Sequence, residues 1–200
     1  MARWEPGART RLQAVALELF AARGFDDTTV TEIAQAAGLT ERTFFRHFAD
    51  KREVLFTSRE PFEQPYLAGV AAAPPEASPL DTIATAILNA ADFFALERRP
   101  YSRQRQTIID AHPELQEREL LKLASLANSL AAALRERGIT EPTATLAAES
   151  GVTVFRVSFA QWIAAGEERS LDQIERETFR GLGMLTTSAN ASRIDVTVTP

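Results

Sequence analysis

Two short amphipathic repeats on either side of Gly38 constrain the fold more than any other stretch of this 200-residue chain. In TVTEIAQAAGLTERTFFRHF, residues 29–48, Thr29 is followed three residues on by Glu32. That is the spacing of a capping box, in which hydroxyl and carboxylate each satisfy a free helical N–H. Val30, Ile33, Ala34 and Ala37 then share one face, and Gly38 ends the helix. Thr40 opens a second helix of barely two turns, with Phe44 and Phe48 directed inward. Helices this short do not stand alone in water, so both must dock through their apolar residues. The spacing predicts a helix-turn-helix unit.

The polar face left over on the second helix carries Thr40, Arg42, Thr43, Phe45 and Arg46. Arg can fork onto guanine in a major groove, and Thr reaches bases or phosphates. The expected DNA-contacting set is therefore Thr29 and Thr31 on the first helix, Thr40, Arg42, Thr43, Phe45, Arg46 and His47 on the second, Arg9 before them and Lys51 after. Asp50 and Glu53 form another cap-like pair with Lys51 in the following turn, where free N–H groups and a cation suit a phosphate. Lys51 is expected to position rather than specify. Arg3 and Trp4 read as a short arm ahead of the first helix, either reaching the DNA backbone or minor groove or frayed and solvated.

The string GLTERTFFRHFADKREVLF, residues 38–56, resembles the recognition end of the TetR family (TetR/AcrR type) of bacterial transcriptional regulators, with its Gly turn, paired aromatics, His-Phe and Lys. The resemblance runs from Arg9 to Phe56. It implies an all-α protein with an N-terminal three-helix helix-turn-helix DNA-binding domain, residues 1–56, and a C-terminal helical effector-binding and dimerisation domain, residues 57–188. It also implies a homodimer on a pseudo-palindromic double-stranded DNA operator, most often a repressor released by a small-molecule effector. Family members commonly carry Tyr where this chain has Phe45, so one familiar hydroxyl-to-phosphate contact is missing here.

A net charge of -5 is unusual for a DNA binder, but the acidity lies in the second part. Residues 1–60 hold nine Lys/Arg against nine Asp/Glu, and residues 61–200 hold thirteen against eighteen. Arg3, Arg9, Arg11, Arg42, Arg46, Lys51 and Arg52 are expected on one face of the first part. Cysteine is absent, which excludes disulfides, thiolate metal sites and thiol chemistry. No stretch has the apolar length of a membrane span or the layout of a signal peptide, so a cytoplasmic protein with no membrane partner is expected.

Further along, helical repeats succeed one another. Leu12, Val15, Ala16, Leu19 and Phe20 form the first, closing at Gly24. Pro61 and Pro65 predict a kink or break before a helix over Phe62 to Ala73. AAAPPEASP, residues 71–79, reads as a linker, after which Ser78 starts a helix burying Leu80, Ile83, Ile87, Ala91 and Phe94. Pro100 and Pro113 mark further helix starts, and a stripe from Leu120 to Leu134 ends at Gly138. From Pro142 to Gly166 apolar residues lie nearly all round, as on a helix covered on more than one side. Ser170 and Gln173 cap the last helix. Residues 189–200 read as a loose tail.

The family pairs its last two long helices across a dimer axis, which implies an interface of Leu146, Val154, Val157, Leu171, Ile174, Thr178, Leu182 and Leu185. It also implies an apolar effector cavity lined by Phe62, Tyr66, Phe93, Phe94, Tyr101, Phe155, Phe159 and Trp162. Arg103, Arg105 and Arg156 nearby suggest a largely hydrophobic effector with an anionic end. The chain has two histidines, His47 and His112, and no phosphate-binding Gly motif, so neither an enzyme nor a metal or cofactor is expected. The alternative is a helical ligand-binding or protein-interaction module that has kept the shape and lost operator binding.

Overall fold

Apolar stripes at helical spacing, punctuated by Pro and Gly, leave the chain one way to bury its core, and every regular element among the described residues is a helix. The computed structural model describes residues 7–191, with side chains through residue 185. In chain order the helices are α1 (Ala8–Arg23), α2 (Val30–Ala36), α3 (Glu41–His47), a 3-10 turn (Arg52–Leu55), α4 (Arg59–Ala72), α5 (Pro79–Ala90), two 3-10 turns (Ala91–Phe94 and Leu96–Arg98), α6 (Arg99–Asp110), α7 (Pro113–Glu136), α8 (Thr143–Trp162) and α9 (Leu171–Ala191). The chain is all-α, with the helix-turn-helix at its N-terminal end and a helical C-terminal part. No helix among the described residues is long and apolar enough to cross a membrane.

By internal contacts the chain forms two compact units. The first runs through Phe62 and adds Pro100–Lys122; the second comprises Glu63–Arg99 and the chain from Leu123 onward. A functional boundary at residue 56 follows chain order, whereas packing recruits a later segment. Ile108 and Ile109 of α6 and Leu115 of α7 join Leu12, Phe20, Ile33, Phe44 and Phe48 in one buried cluster. Three short helices have too little apolar surface to close a core alone, and α6 and α7 complete it.

In the second unit α5, α8 and α9 pack on one another. Two close approaches hold α5. A Cβ placed on Gly69 of α4 would lie 2.6 Å from the Ala86 Cα, and one on Gly151 of α8 would lie 2.2 Å from the Ile83 Cγ2. Neither position has room for a side chain. Ser158 of α8 donates to Thr178 of α9 at 2.9 Å, and Arg137 beyond α7 donates to the carbonyls of Val70 and Pro74 at the end of α4.

The proline break falls earlier than expected. The chain leaves helical geometry at Phe56 and resumes at Arg59, and α4 contains both Pro61 and Pro65. Pro61 sits in the first turn, where its missing N–H has no intrahelical partner to lose. The Ser78 cap appears as expected, its Oγ accepting from the Asp81 N–H at 3.1 Å. Helix α9 continues to Ala191, past the expected start of a tail at residue 189. Residues 192–200, and the arm residues Arg3 and Trp4, lie outside the described residues.

Candidate nucleic-acid interface

The turn between α2 and α3 is built by three local devices. Thr29 and Glu32 form the full capping box: the Glu32 N–H donates to Thr29 Oγ1 at 3.2 Å, and the Thr29 N–H donates to Glu32 Oε2 at 2.8 Å. Gly38 ends α2 at φ 66°, a left-handed conformation that side chains resist, and the Leu39 N–H reaches back to the Ala34 carbonyl at 2.8 Å. Thr40 then caps α3, accepting from the Thr43 N–H at 3.2 Å. Ile33, Ala34 and Phe44 are buried beneath, and Phe48 follows.

This anchoring turns the other face of α3 outward. Arg42 and Arg46 are exposed and make no salt bridge or hydrogen bond among the described residues. With Thr43 and Phe45, which is 54% exposed, they line a surface depression. Two uncommitted guanidinium groups, a hydroxyl and a flat ring on one short helix form a surface suited to base edges and a sugar-phosphate backbone.

Four other expected contact residues are committed within the fold. Arg9 donates to the His47 carbonyl at 2.9 Å and the Phe56 carbonyl at 3.4 Å, with its guanidinium 4.4 Å from the centre of the Phe48 ring. Lys51 donates to the carbonyls of Phe25 (2.7 Å), Thr28 (3.1 Å) and Asp26 (3.4 Å), and lies over the Phe25 ring at 4.2 Å. Three carbonyls use its three N–H groups, so in this structure the Lys51 ammonium braces the α1–α2 loop. Thr29 serves the capping box, and Thr31 donates to Glu41. The His47 imidazole is shifted toward its neutral form by burial, then by the charges of Arg46 and Arg9.

Sequence reasoning missed the buttress behind this unit. Glu53 pairs with Arg118 and, at 3.5 Å, with Lys122, both on α7. Arg105 of α6 donates to the Leu55 carbonyl at 2.7 Å and to Glu119 at 3.1 Å. Both Arg105 and Lys122 lie over the Phe56 ring. The segment after α3 is thus fastened to α7 by ion pairs and to α6 by the Arg105 hydrogen bond, between residues far apart in sequence.

In the second unit an aromatic network joins Tyr66, Phe93, Phe94, Phe155, Phe159 and Trp162, with neighbouring ring centroids 5.1–6.1 Å apart. Phe62 and Tyr101, expected in the same set, fall in the first unit. The expected interface also divides. Leu146, Val157 and Leu185 are exposed, as is Met184, whereas Val154, Leu171 and Ile174 are buried inside the unit and have no surface left for a partner. Thr178 and Leu182 are half-buried, and Thr178 is bonded to Ser158.

Glu175 on α9 was not anticipated. It is fully buried, and neither oxygen accepts a hydrogen bond among the described residues. Burial, with Asp172 adding to it, pushes its carboxyl up to about 8. Its signal in the sequence is position: four residues after Leu171, it belongs to the same helical stripe.

Residues 12–57, the whole α2–α3 unit with most of α1, match the family described as bacterial regulatory proteins, tetR family. Over 80 residues the chain is 44% identical to the HTH-type transcriptional regulator TcmR of Streptomyces glaucescens. That stretch is 39% of this chain and 35% of TcmR, so the chain spans about a third of that relative's length. The fold as a whole is similar to that of the transcriptional regulator FadR of Bacillus subtilis, solved with stearoyl-CoA, at a TM-score of 0.61 and 17% identity over 86% of this chain and 96% of that one. It is also similar to the fatty acid degradation regulator FadR of Bacillus halodurans, at 0.53 and 15% over 90% and 96%.

Proposed function

We propose that this chain, whose residues 12–57 match the tetR family of bacterial regulatory proteins, is a sequence-specific, ligand-responsive regulator of transcription that binds a pseudo-palindromic operator as a homodimer. The observation that carries this reading is the outward face of α3, where Arg42 and Arg46 stand without a carboxylate partner among the described residues, beside Thr43 and Phe45. Two copies related by a twofold axis would set their α3 helices in successive major grooves, about 34–36 Å apart. Exposed Leu146, Val157, Met184 and Leu185 on α8 and α9 support the dimer, since apolar side chains at helical spacing favour being covered. Effector binding in the second unit would favour a dimer whose spacing no longer fits the operator, ending repression.

A gel-shift titration against DNA flanking the protein's own gene tests this. A regulator binds one fragment with sequence preference and weakens steeply with salt. A helical module that has lost operator binding retains none of that preference. Sedimentation of the full chain and of a Leu146→Glu, Leu185→Glu double variant tests the dimer: the variant should be monomeric and lose most operator affinity.

A further inference from the structure

Among its described residues the second unit buries two carboxylates, and those residues satisfy only one of them. Glu63 on α4 receives the Ser125 hydroxyl at 2.8 Å and the Ser129 hydroxyl at 2.7 Å, donors one turn apart on α7. Glu175 on α9 is equally enclosed and receives no donor among the described residues. A buried acid without a partner destabilises its surroundings, and an apolar or amide residue would serve the helix better. Such a group, placed in an aromatic region, marks a binding function.

The surroundings define the chemistry. Helix α9, which carries Glu175, packs on α8 and on the 3-10 turn that holds Phe94, and the Tyr66 phenol is raised by burial and then by Glu175. Tyr66 meets Phe155 edge-on with centroids 6.0 Å apart. Phe155 continues to Phe94 at 5.4 Å and Phe159 at 5.8 Å, and both of these reach Trp162. Ring faces and a carboxylate attract the same thing, a positive charge. Trp162 already shows it, with the Arg99 guanidinium 5.3 Å from its centre. Of the arginines expected to meet an anionic end, Arg103 and Arg105 belong to the first unit and Arg156 is exposed. Phe94 and Phe159 are only half-buried, and Phe94 belongs to a 3-10 turn, whose poorer hydrogen bonding makes it the wall that yields most readily.

We propose that Glu175 anchors the effector site and that the effector is an organic cation, an amine carried on an aromatic or aliphatic body. The ammonium pairs with the carboxylate and the body lies among the rings of Tyr66, Phe94, Phe155, Phe159 and Trp162. This assignment rests on the ligand-responsive reading above. The titratable and charged groups bearing on Glu175 are Tyr66 from α4 and Asp172 and Arg176 from α9; no charged group of α5 or α8 registers there. Near neutral pH the acid holds its proton, and pairing with an ammonium drives that proton off.

The test is calorimetric titration of the full chain at pH 7 with 4-phenylbutylamine, 4-phenylbutanol and 4-phenylbutyrate, in two buffers of different ionisation enthalpy. The amine should bind roughly tenfold tighter than the alcohol or the acid. It should also release about one proton. Glu175→Gln should bind amine and alcohol alike with no proton released, and Glu175→Asp should keep part of the preference; circular dichroism of both variants verifies the fold. Equal binding of the three probes, tighter binding of the acid, no measurable binding of the amine, or a preference that survives in Glu175→Gln overturns the proposal. Operator release is read separately by gel shift. An amine that binds through Glu175 and leaves the protein on its DNA keeps the cation site and removes effector-driven release.

Discussion

Arg9 on α1 donates to the His47 carbonyl at 2.9 Å, so the opening turn of one helix closes the end of another 38 residues away. The same guanidinium stacks on Phe48 and reaches the Phe56 carbonyl. Arg9→Ala should lower the urea stability of the helix-turn-helix unit by about 1–2 kcal/mol. Arg9→Lys should recover little, because a point charge cannot stack and bridge two carbonyls together. An unchanged unfolding midpoint in Arg9→Ala would remove this brace.

Arg42→Ala and Arg46→Ala should each weaken operator binding by about 1–3 kcal/mol while leaving thermal stability intact, since neither side chain has a partner among the described residues. Competition with scrambled DNA should show that the loss is larger for the operator. If both variants kept full affinity and sequence preference, base reading would have to lie elsewhere.

Lys51→Met separates bracing from phosphate binding. With its three carbonyls left open, the loop from Phe25 to Thr28 should loosen and the melting temperature should fall. The slope of log affinity against log salt should stay as in the unaltered chain. A slope smaller by about one would instead mean that the ammonium meets a DNA phosphate.

Phe45→Tyr adds a hydroxyl to an exposed ring on the α3 face. It should strengthen binding to operator and to unrelated DNA alike, by about 0.5–1.5 kcal/mol, because a phosphate contact carries no sequence information. Fluorescence anisotropy on both DNAs reads this directly, and strengthening confined to the operator would contradict it.

Glu175 makes stability depend on pH. Its carboxyl stands at about 8 in the folded protein against 4.5 for an unperturbed group. Below the lower value both states hold the proton and nothing changes. Between the two values the unfolded chain ionises first, so folding weakens as pH rises, and the loss levels off above the upper value. Relative to the unaltered chain, Glu175→Gln should therefore gain a few kcal/mol of stability between pH 5 and pH 8.5. A constant difference in urea midpoints over that range would show that the acid is not held protonated.

What could be read in advance follows the range of the interactions involved. The Thr29 box, the Gly38 turn and the Thr40 cap each act within a few residues, so spacing alone reveals them. The commitments of Arg9 and Lys51 are invisible at that range, because their carbonyl partners lie 23–47 residues away and come close only when the helices dock. Helix α8 shows a different limit. With apolar residues on most sides, nothing in its repeat says that Val154 turns in and Val157 turns out. Glu175 sat in plain view on the Leu171 stripe, but a charged letter in an apolar repeat is easily assigned to solvent.

The backbone approaches at Gly69 and Gly151 pin α5 from two directions, one through Ala86 and the other through Ile83. Both contacts leave no gap in which α5 could shift against α4 or α8 without repacking. Beyond the end of α5 the chain is no longer held this way, and a pair of 3-10 turns carries Phe93 and Phe94 onward to α6. Since α6 also supplies Arg105 to the segment behind α3, these turns are continuous in chain with the helix that steadies the reading head.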